Sequence, residues 1–341
     1  MIGDLTGALA AVSFPEWHVE PDVWVLLGVL LAGYLLVVRS GRSRGDVTER
    51  KQVMLFCSGV AVLWFGSDWP VHDLAERYLY SFHMVQHLLF TLVAAPLLLL
   101  GTPAWLGRRV LGIGAGRRSE PEPEPGPGPR GAEPGVRVVV AAPTRRLSVV
   151  RWLARPVPGL IQFNLVLVLS HWPAVVEATL LHHSLHFVAH AVLLLSALLM
   201  WMPVASTIPE VPRARPPTQM LYLFLQTIIP TIPASFLTFG AKPLYRIYET
   251  FPRLWGVPAL TDQQVAGLIM KIGAGFYLWT VIAVVFFRWY EGEEGGGKAG
   301  PEPPAAPAEP DEGVLLWADV ERELRQLSGG AAPRVPPKNH Y

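Results

Sequence analysis

Charged residues are scarce in this sequence, and cysteine is almost absent. Lys, Arg, Asp and Glu make up 16% of the 341 residues, whereas 51% are hydrophobic, a balance too apolar for a soluble protein of this length. A single cysteine, Cys57, excludes an internal disulfide and any site built from cysteine pairs. The sequence also lacks a phosphate-binding glycine loop and a Ser-His-Asp order, so we expect no enzyme active site. Histidine is the one abundant side chain that binds soft metals.

Long apolar runs predict an all-α, polytopic membrane protein. A helix needs about 20 apolar residues to cross a bilayer, and seven stretches approach that length. The predicted spans cover residues 22–38, 52–69, 80–100, 157–177, 184–205, 218–240 and 264–287. We therefore expect a seven-helix membrane domain over 22–290. Residues 1–21 contain no Lys or Arg and are interpreted as an extracytoplasmic leader rather than a signal peptide.

Lys and Arg concentrate in alternate connections between the predicted spans. Residues 39–51, 108–155 and 213–215 are rich in them, and Arg288 follows the last span, whereas 178–183 contains none. Because cytoplasmic loops carry an excess of Lys and Arg, this pattern predicts that the N-terminus is outside and the C-terminus is cytoplasmic. We interpret these basic residues as determinants of topology in the plasma membrane. We therefore expect the protein to contact the lipid bilayer and not nucleic acid.

Two segments rich in Pro, Gly and Glu are predicted to be disordered and cytoplasmic. They are an insert at about 112–145 and a tail at 291–341. Within the tail, residues 314–327 have helical apolar spacing and predict a short amphipathic helix. That helix could dock on a partner, lie on the membrane surface or pack on its own domain.

Two pairs of histidines are spaced four residues apart in apolar helices. His83 and His87 belong to the third predicted span, and His186 and His190 to the fifth, so each pair lies on one helix face. His171 lies in the fourth span, which a short turn joins to the fifth as an antiparallel neighbour. We expect these five imidazoles to converge in one layer beneath the outer surface, because polar rings facing lipid would be costly.

Several imidazoles with few carboxylates and optional thioethers predict a copper site. The predicted ligands are His83, His87, His171, His186, His190 and Met270. Residues predicted to assist from the surroundings are His182, His183, Met84, Asp68, Asp262 and Lys271.

Structural roles compete with metal binding for some of these side chains. Snorkelling to the interface explains Lys271, and Asp262 with Gln263 is expected to cap the last span. Pro230 and Pro233 are expected to kink or break the sixth span.

The ordered blocks of this sequence resemble one family of membrane proteins. SFHMVQHLLF, APLLLLGTP, SHWPAVVEATL, HHSLHFVAH, LLMWMPV and TDQQVAGLIMKIGAGFYLW are similar to the blocks of CtaG-type cytochrome c oxidase assembly factors of Gram-positive bacteria. The resemblance covers about residues 50–290 and implies a seven-helix plasma-membrane protein that matures a haem-copper oxidase. It also implies a part in copper insertion, carried by the five histidines above with Asp262 and Met270. The long insert and tail depart from the compact family pattern.

Three functions remain open from the sequence. The first is a non-catalytic assembly factor that binds copper at the outer histidine cluster and delivers it to the copper-containing catalytic subunit of cytochrome c oxidase. The second is an electron-transfer protein whose paired histidines hold haem axially. The third is a metal transporter that uses Lys271, Asp262 and the broken sixth span. Histidines with structural, proton-relay or solvated roles are the alternative to any metal site.

Overall fold

The computed structural model describes residues 18–113 and 145–297, and these residues form helices and no strands. The helices of the first part are α1 (Pro21–Arg42), α2 (Arg50–Ser67), α3 (Val71–Arg77), α4 (Tyr80–Leu88), α5 (Ala95–Gly101) and α6 (Ala104–Val110). Those of the second part are α7 (Arg145–Leu153), α8 (Pro156–Ser170), α9 (Pro173–Leu181), α10 (His183–Ala205), α11 (Pro216–Ile228), α12 (Thr231–Phe239), α13 (Ala259–Leu268) and α14 (Ala274–Gly297). The predicted helical class is confirmed.

Six helices of the described residues are long and apolar enough to cross a membrane, and the count is seven if the bent pair α7 and α8 forms one span. The chain is therefore a multi-pass membrane protein. The described residues up to Phe287 belong to one compact unit, and the described part of the second unit is the end of α14. Most of the predicted insert, and the predicted amphipathic helix at 314–327, lie outside the described residues.

The prediction of one continuous helix over residues 157–177 is wrong. Helix α8 ends at Ser170, and α9 begins at Pro173 after a break at His171 and Trp172. Pro173 has no backbone N–H and restricts the residue before it, so Trp172 adopts an extended conformation (φ −67°, ψ 130°). The break places His171 at the end of a helix instead of within one. The sixth span is interrupted as predicted, between Ile228 and Thr231.

Two of the spans contain a segment of π-helix. Leu89–Ala94 joins α4 to α5, and Ile269–Gly273 joins α13 to α14. A π segment widens the helix and leaves a carbonyl without its usual partner. The Trp201 indole donates a 2.8 Å hydrogen bond to the carbonyl of Thr91 in the first segment, which satisfies this group inside the bundle.

Close helix packing joins α1, α2 and α5. The aromatic rings of Tyr34 and Phe56 stack at 3.7 Å, and the Tyr34 hydroxyl donates a 2.8 Å hydrogen bond to the carbonyl of Gly101. A Cβ at Gly101 would lie 2.4 Å from the backbone nitrogen of Phe56, so only glycine allows this approach.

Long-range hydrogen bonds fix the start of α4. The Asp262 carboxylate accepts hydrogen bonds from the backbone N–H groups of Tyr80 (2.6 Å) and Ser81 (3.1 Å). Asp262 was expected to cap its own helix, but it lies in the first turn of α13 and caps α4 instead. A carboxylate at a helix N-terminus satisfies free N–H groups and interacts favourably with the helix dipole. This contact sets the position of the first turn of α4, which carries His83.

The segment between α12 and α13 covers the same end of the bundle. The Tyr245 hydroxyl donates a 2.8 Å hydrogen bond to the carbonyl of His171, and the Tyr248 hydroxyl donates to that of Ala75. Burial raises the pKa of Tyr245 to about 12, so this hydroxyl keeps its proton and remains a donor. These bonds tie the break after α8 to the rest of the bundle.

Candidate metal centre

The i, i+4 spacing places two imidazoles on each of two facing helices. His83 and His87 follow one another on α4, with ring centroids 4.3 Å apart, and His186 and His190 on α10 show the same separation. Across the two helices, the ring of His190 lies 5.7 Å from His83 and 5.2 Å from His87. His83, His87 and His186 are buried and His190 is half-buried, so the rings point into the bundle and away from lipid.

Three of these rings are close enough to share an ion. Among the described residues, His83, His87 and His190 form the one group of at least three His, Cys, Asp or Glu side chains whose ligand atoms lie within 4.8 Å of one another. With metal–nitrogen distances of about 2 Å, two nitrogens on one ion lie at most about 4 Å apart. Side-chain movements of under about 1 Å would therefore bring the three nitrogens onto one ion. We call these three residues with His186 the histidine group.

Buried ring nitrogens of this group lack hydrogen-bond partners. The Nδ1 atoms of His83 and His87 are fully enclosed and make no hydrogen bond with the described residues. A buried polar atom without a partner costs about 1–3 kcal/mol. A cation bound by either ring would remove part of this penalty, so the chemistry of the group fits a metal.

Glu76 on α3 orients His186. Its carboxylate is paired with Nδ1 of His186 and lies 3.4 Å from Nε2 of His72. A carboxylate on Nδ1 holds the proton there and leaves Nε2 of His186 as an acceptor. That Nε2 atom is 3.0 Å from Nε2 of His190, so it faces the other rings of the histidine group. Carboxylate–histidine pairs of this kind commonly support metal ligands.

Glu76 and the part that His72 plays were not predicted from the sequence. The predicted spans end at residue 69 and resume at residue 80, whereas Val71–Arg77 between them is a helix that places both side chains on one face. His72 is buried, with its ring 6.1 Å from that of His186 and Nδ1 3.3 Å from Nε2 of Gln86. The i, i+4 spacing of His72 and Glu76 was the available signal.

His171 lies beside the histidine group but points in another direction. Its ring centroid is 5.6 Å from that of His87. Its Nδ1 atom lies 2.7 Å from the carbonyl oxygen of Leu167, and its Nε2 atom lies 3.4 Å from Sδ of Met84. The five predicted imidazoles are therefore close together, but their nitrogens do not all face one point.

The remaining predicted residues lie outside the histidine group, and some of them line the cavities beside it. Met270 is buried and lines a cavity with Met84, while Lys271 is exposed at the edge of that cavity. Asp68 accepts a 3.1 Å hydrogen bond from the indole of Trp24, and Asp262 caps α4. His182 and His183 are exposed at the start of α10, where His183 lies 3.1 Å from the Asp22 carboxylate.

Two cavities with different linings adjoin the histidine group. One of about 160 Å³ lies against α1 and is lined by His72, Glu76, His183, His186 and His190. The other, of about 40 Å³, is lined by His87, His171, Met84, Met200 and Met270. His190 thus lines a carboxylate-containing cavity, and His87 lines a thioether-containing one.

Comparison with known families gives one match. The model of the cytochrome c oxidase caa3 assembly factor family (Caa3_CtaG) matches residues 32–292, a range that includes the whole histidine group and Glu76. The resemblance stated from the sequence is thereby confirmed. The comparisons with curated proteins and with solved structures give no match.

Proposed function

Because this chain belongs to the cytochrome c oxidase caa3 assembly factor family, we propose that it binds copper at the histidine group and delivers it to the oxidase. The recipient would be the copper-containing catalytic subunit, and the protein would work in the plasma membrane as a non-catalytic factor. The observation that carries the copper proposal is the convergence of His83, His87 and His190 within 4.8 Å.

The ligand types support copper as cargo. Imidazole nitrogens bind copper well, and the nearby thioethers of Met84 and Met270 favour its monovalent form. Glu76 would offset part of the positive charge that the ion brings and would keep Nε2 of His186 free to bind. Neutral ligands that can leave one at a time suit a carrier, because delivery requires exchange.

The larger cavity supports a route for the ion to reach this site. The exposed pair of Asp22 and His183 lies at its edge, and Glu76, His72 and His186 line its inner wall. Carboxylate and imidazole groups placed one after another along this cavity would attract a cation toward the histidine group. We propose that this edge faces the outside of the cell, as the distribution of Lys and Arg predicts.

The geometry gives less support to the haem alternative. Two axial histidines must face one another across a flat macrocycle. The rings of His83, His87 and His190 instead pack against each other, with centroids 4.3 to 5.7 Å apart. A purified protein with a Soret absorption band would favour haem over copper.

The proposal is tested by removing two ligands from one helix. Substitution of His83→Ala with His87→Ala should weaken copper binding by more than about 100-fold, because both contribute nitrogens and their loss leaves only α10. The matched control is His182→Ala, which removes an exposed histidine outside the group. Binding is measured by competition with a colorimetric chelator, using purified full-length protein.

A second measurement connects binding to assembly. In cells that depend on this protein for a caa3-type oxidase, the double variant should leave the oxidase short of copper, while His182→Ala should not. Normal oxidase copper content in the double variant would contradict the delivery role. Uptake of copper into sealed vesicles would instead favour the transporter hypothesis.

A further inference from the structure

Two buried acceptor atoms face each other beside the histidine group. Nε2 of His171 lies 3.4 Å from Sδ of Met84, and the two residues are 6% and 1% exposed. The 2.7 Å contact between Nδ1 of His171 and the Leu167 carbonyl requires the ring proton to be on Nδ1, because a carbonyl only accepts. In the neutral ring Nε2 therefore has a lone pair and no proton, and a thioether sulfur has none to offer.

We infer that Met84 and His171, with Met270, form a second and softer site that binds monovalent copper. Nε2 of His171 and Sδ of Met84 direct lone pairs at each other with no proton between them, which suits a cation. Thioether ligation selects Cu(I). Met270 and Met200 line the same cavity of about 40 Å³, which has room for an ion. Met270 is buried on the π segment Ile269–Gly273, a distortion that is frequent at functional sites.

The softer site is distinct from the histidine group and joined to it by one residue. The His87 ring lies 5.2 Å from that of His190 and 5.6 Å from that of His171, and it also lines the thioether cavity. A Cu(I) ion can therefore pass from the nitrogen ligands to the nitrogen and sulfur ligands while His87 remains attached. Each step replaces one ligand by another, and the ion keeps its charge, so no electron is transferred.

This inference rests on the proposed copper function, and it changes what that function predicts. One chain should hold two Cu(I) ions, one with nitrogen ligands only and one with sulfur ligands. With the imidazole site first and the thioether site second, the ion moves from the carboxylate-lined cavity toward the interior of the bundle.

The test uses purified full-length protein loaded with Cu(I) under anaerobic conditions. The copper-edge X-ray absorption spectrum of the wild type should contain a sulfur shell, and chelator competition should give two ions per chain. The variants Met84→Leu and Met270→Leu keep side-chain volume, and each should lower sulfur scattering, with Met84→Leu leaving one tightly bound ion. Met202→Leu is the control, since Met202 is buried on α10 and does not line this cavity.

The outcomes separate the two proposals. A wild type with one Cu(I), nitrogen ligands only and no change in Met84→Leu would overturn the second site and leave the histidine group intact. A wild type that binds no Cu(I) would overturn both. Loss of sulfur scattering in Met84→Leu with one ion retained shows that the variant is folded and supports the second site.

Discussion

Glu76 determines which nitrogen of His186 is available. With the ring proton held at Nδ1 by the carboxylate, Nε2 faces His190 at 3.0 Å. The carboxylate also adds negative charge at a place where a cation would otherwise meet only neutral imidazoles. Glu76 acts through His186, so it is a positioning residue rather than a ligand.

Substitution of Glu76→Gln should weaken Cu(I) binding by at least about tenfold, the smaller end of the effect expected when a group that orients a metal ligand is changed. The amide oxygen can still accept the hydrogen from His186, so the loss comes from the missing negative charge. Chelator competition on the purified protein measures it. Glu177→Gln on α9, a half-buried carboxylate outside both cavities, is the control. Equal affinities for Glu76→Gln and wild type would show that the negative charge of Glu76 does not contribute to Cu(I) binding.

The contact between α2 and α5 depends on the absence of a side chain at Gly101. An added Cβ would meet the Phe56 backbone at 2.4 Å, and a backbone cannot move away as a flexible side chain can. Gly101→Ala should therefore destabilise the protein by about 1–3 kcal/mol, as other overpacked positions do. Thermal unfolding in detergent should show a lower midpoint.

Gly28→Ala is the matched control for this helix contact. Gly28 lies within α1, and nothing is within 4 Å of the Cβ that alanine would add. Its substitution should be neutral or slightly stabilising, because alanine has the higher helix propensity. If both variants unfold at the wild-type midpoint, the close approach of α2 and α5 does not contribute to stability.

At the scale of single elements, the sequence predicts what is local. The pairs on α4 and α10 follow from a spacing of four residues in apolar helices, and the interruption of the sixth span follows from Pro230 and Pro233. The break after α8 was missed because the apolar pattern continues through Trp172 and Pro173. The local restriction that Pro173 imposes outweighed that pattern.

Contacts between distant segments were beyond the reach of the sequence. Asp262 caps a helix that begins about 180 residues earlier, at Tyr80, and no periodicity indicates such a pairing. Glu76 was hidden in a connection too short to be predicted as a helix. Met84 was expected to assist the predicted histidine cluster, and its sulfur faces His171 of that cluster. The sequence did not indicate which histidine it would face, because the direction of a side chain depends on packing between helices.

At the scale of the whole molecule, the described residues that follow α5 and α10 lie at the end away from the histidines. The guanidinium of Arg108, after α5, is 2.7 Å from the carboxylate of Glu210, after α10. The hydrogen bond from Arg108 lowers the pKa of Glu210, so the pair stays charged at neutral pH. The histidines occupy the beginnings of α4 and α10, whereas this pair joins the segments that follow α5 and α10. The arrangement agrees with a histidine end that faces outward and an arginine end that faces the cytoplasm.

This orientation can be tested with single cysteines in a Cys57→Ser background. A cysteine introduced as His182→Cys should react in intact cells with a maleimide that cannot cross membranes. One introduced as Ser43→Cys, in the basic connection after α1, should react only after permeabilisation. The opposite labelling pattern would reverse the topology and place copper binding on the cytoplasmic side.

The π segment at Leu89–Ala94 lies between the part of its span that carries histidines and the part that packs on α2. Each residue of a helix turns the chain by about 100°, so an inserted residue offsets the azimuth of everything beyond it. The helix half that carries His83 and His87 is therefore rotated about the helix axis relative to the half that packs on α2. In such a span, a substitution in the half with the histidines can change the ligands. The other half keeps its packing on α2, which holds the bundle together.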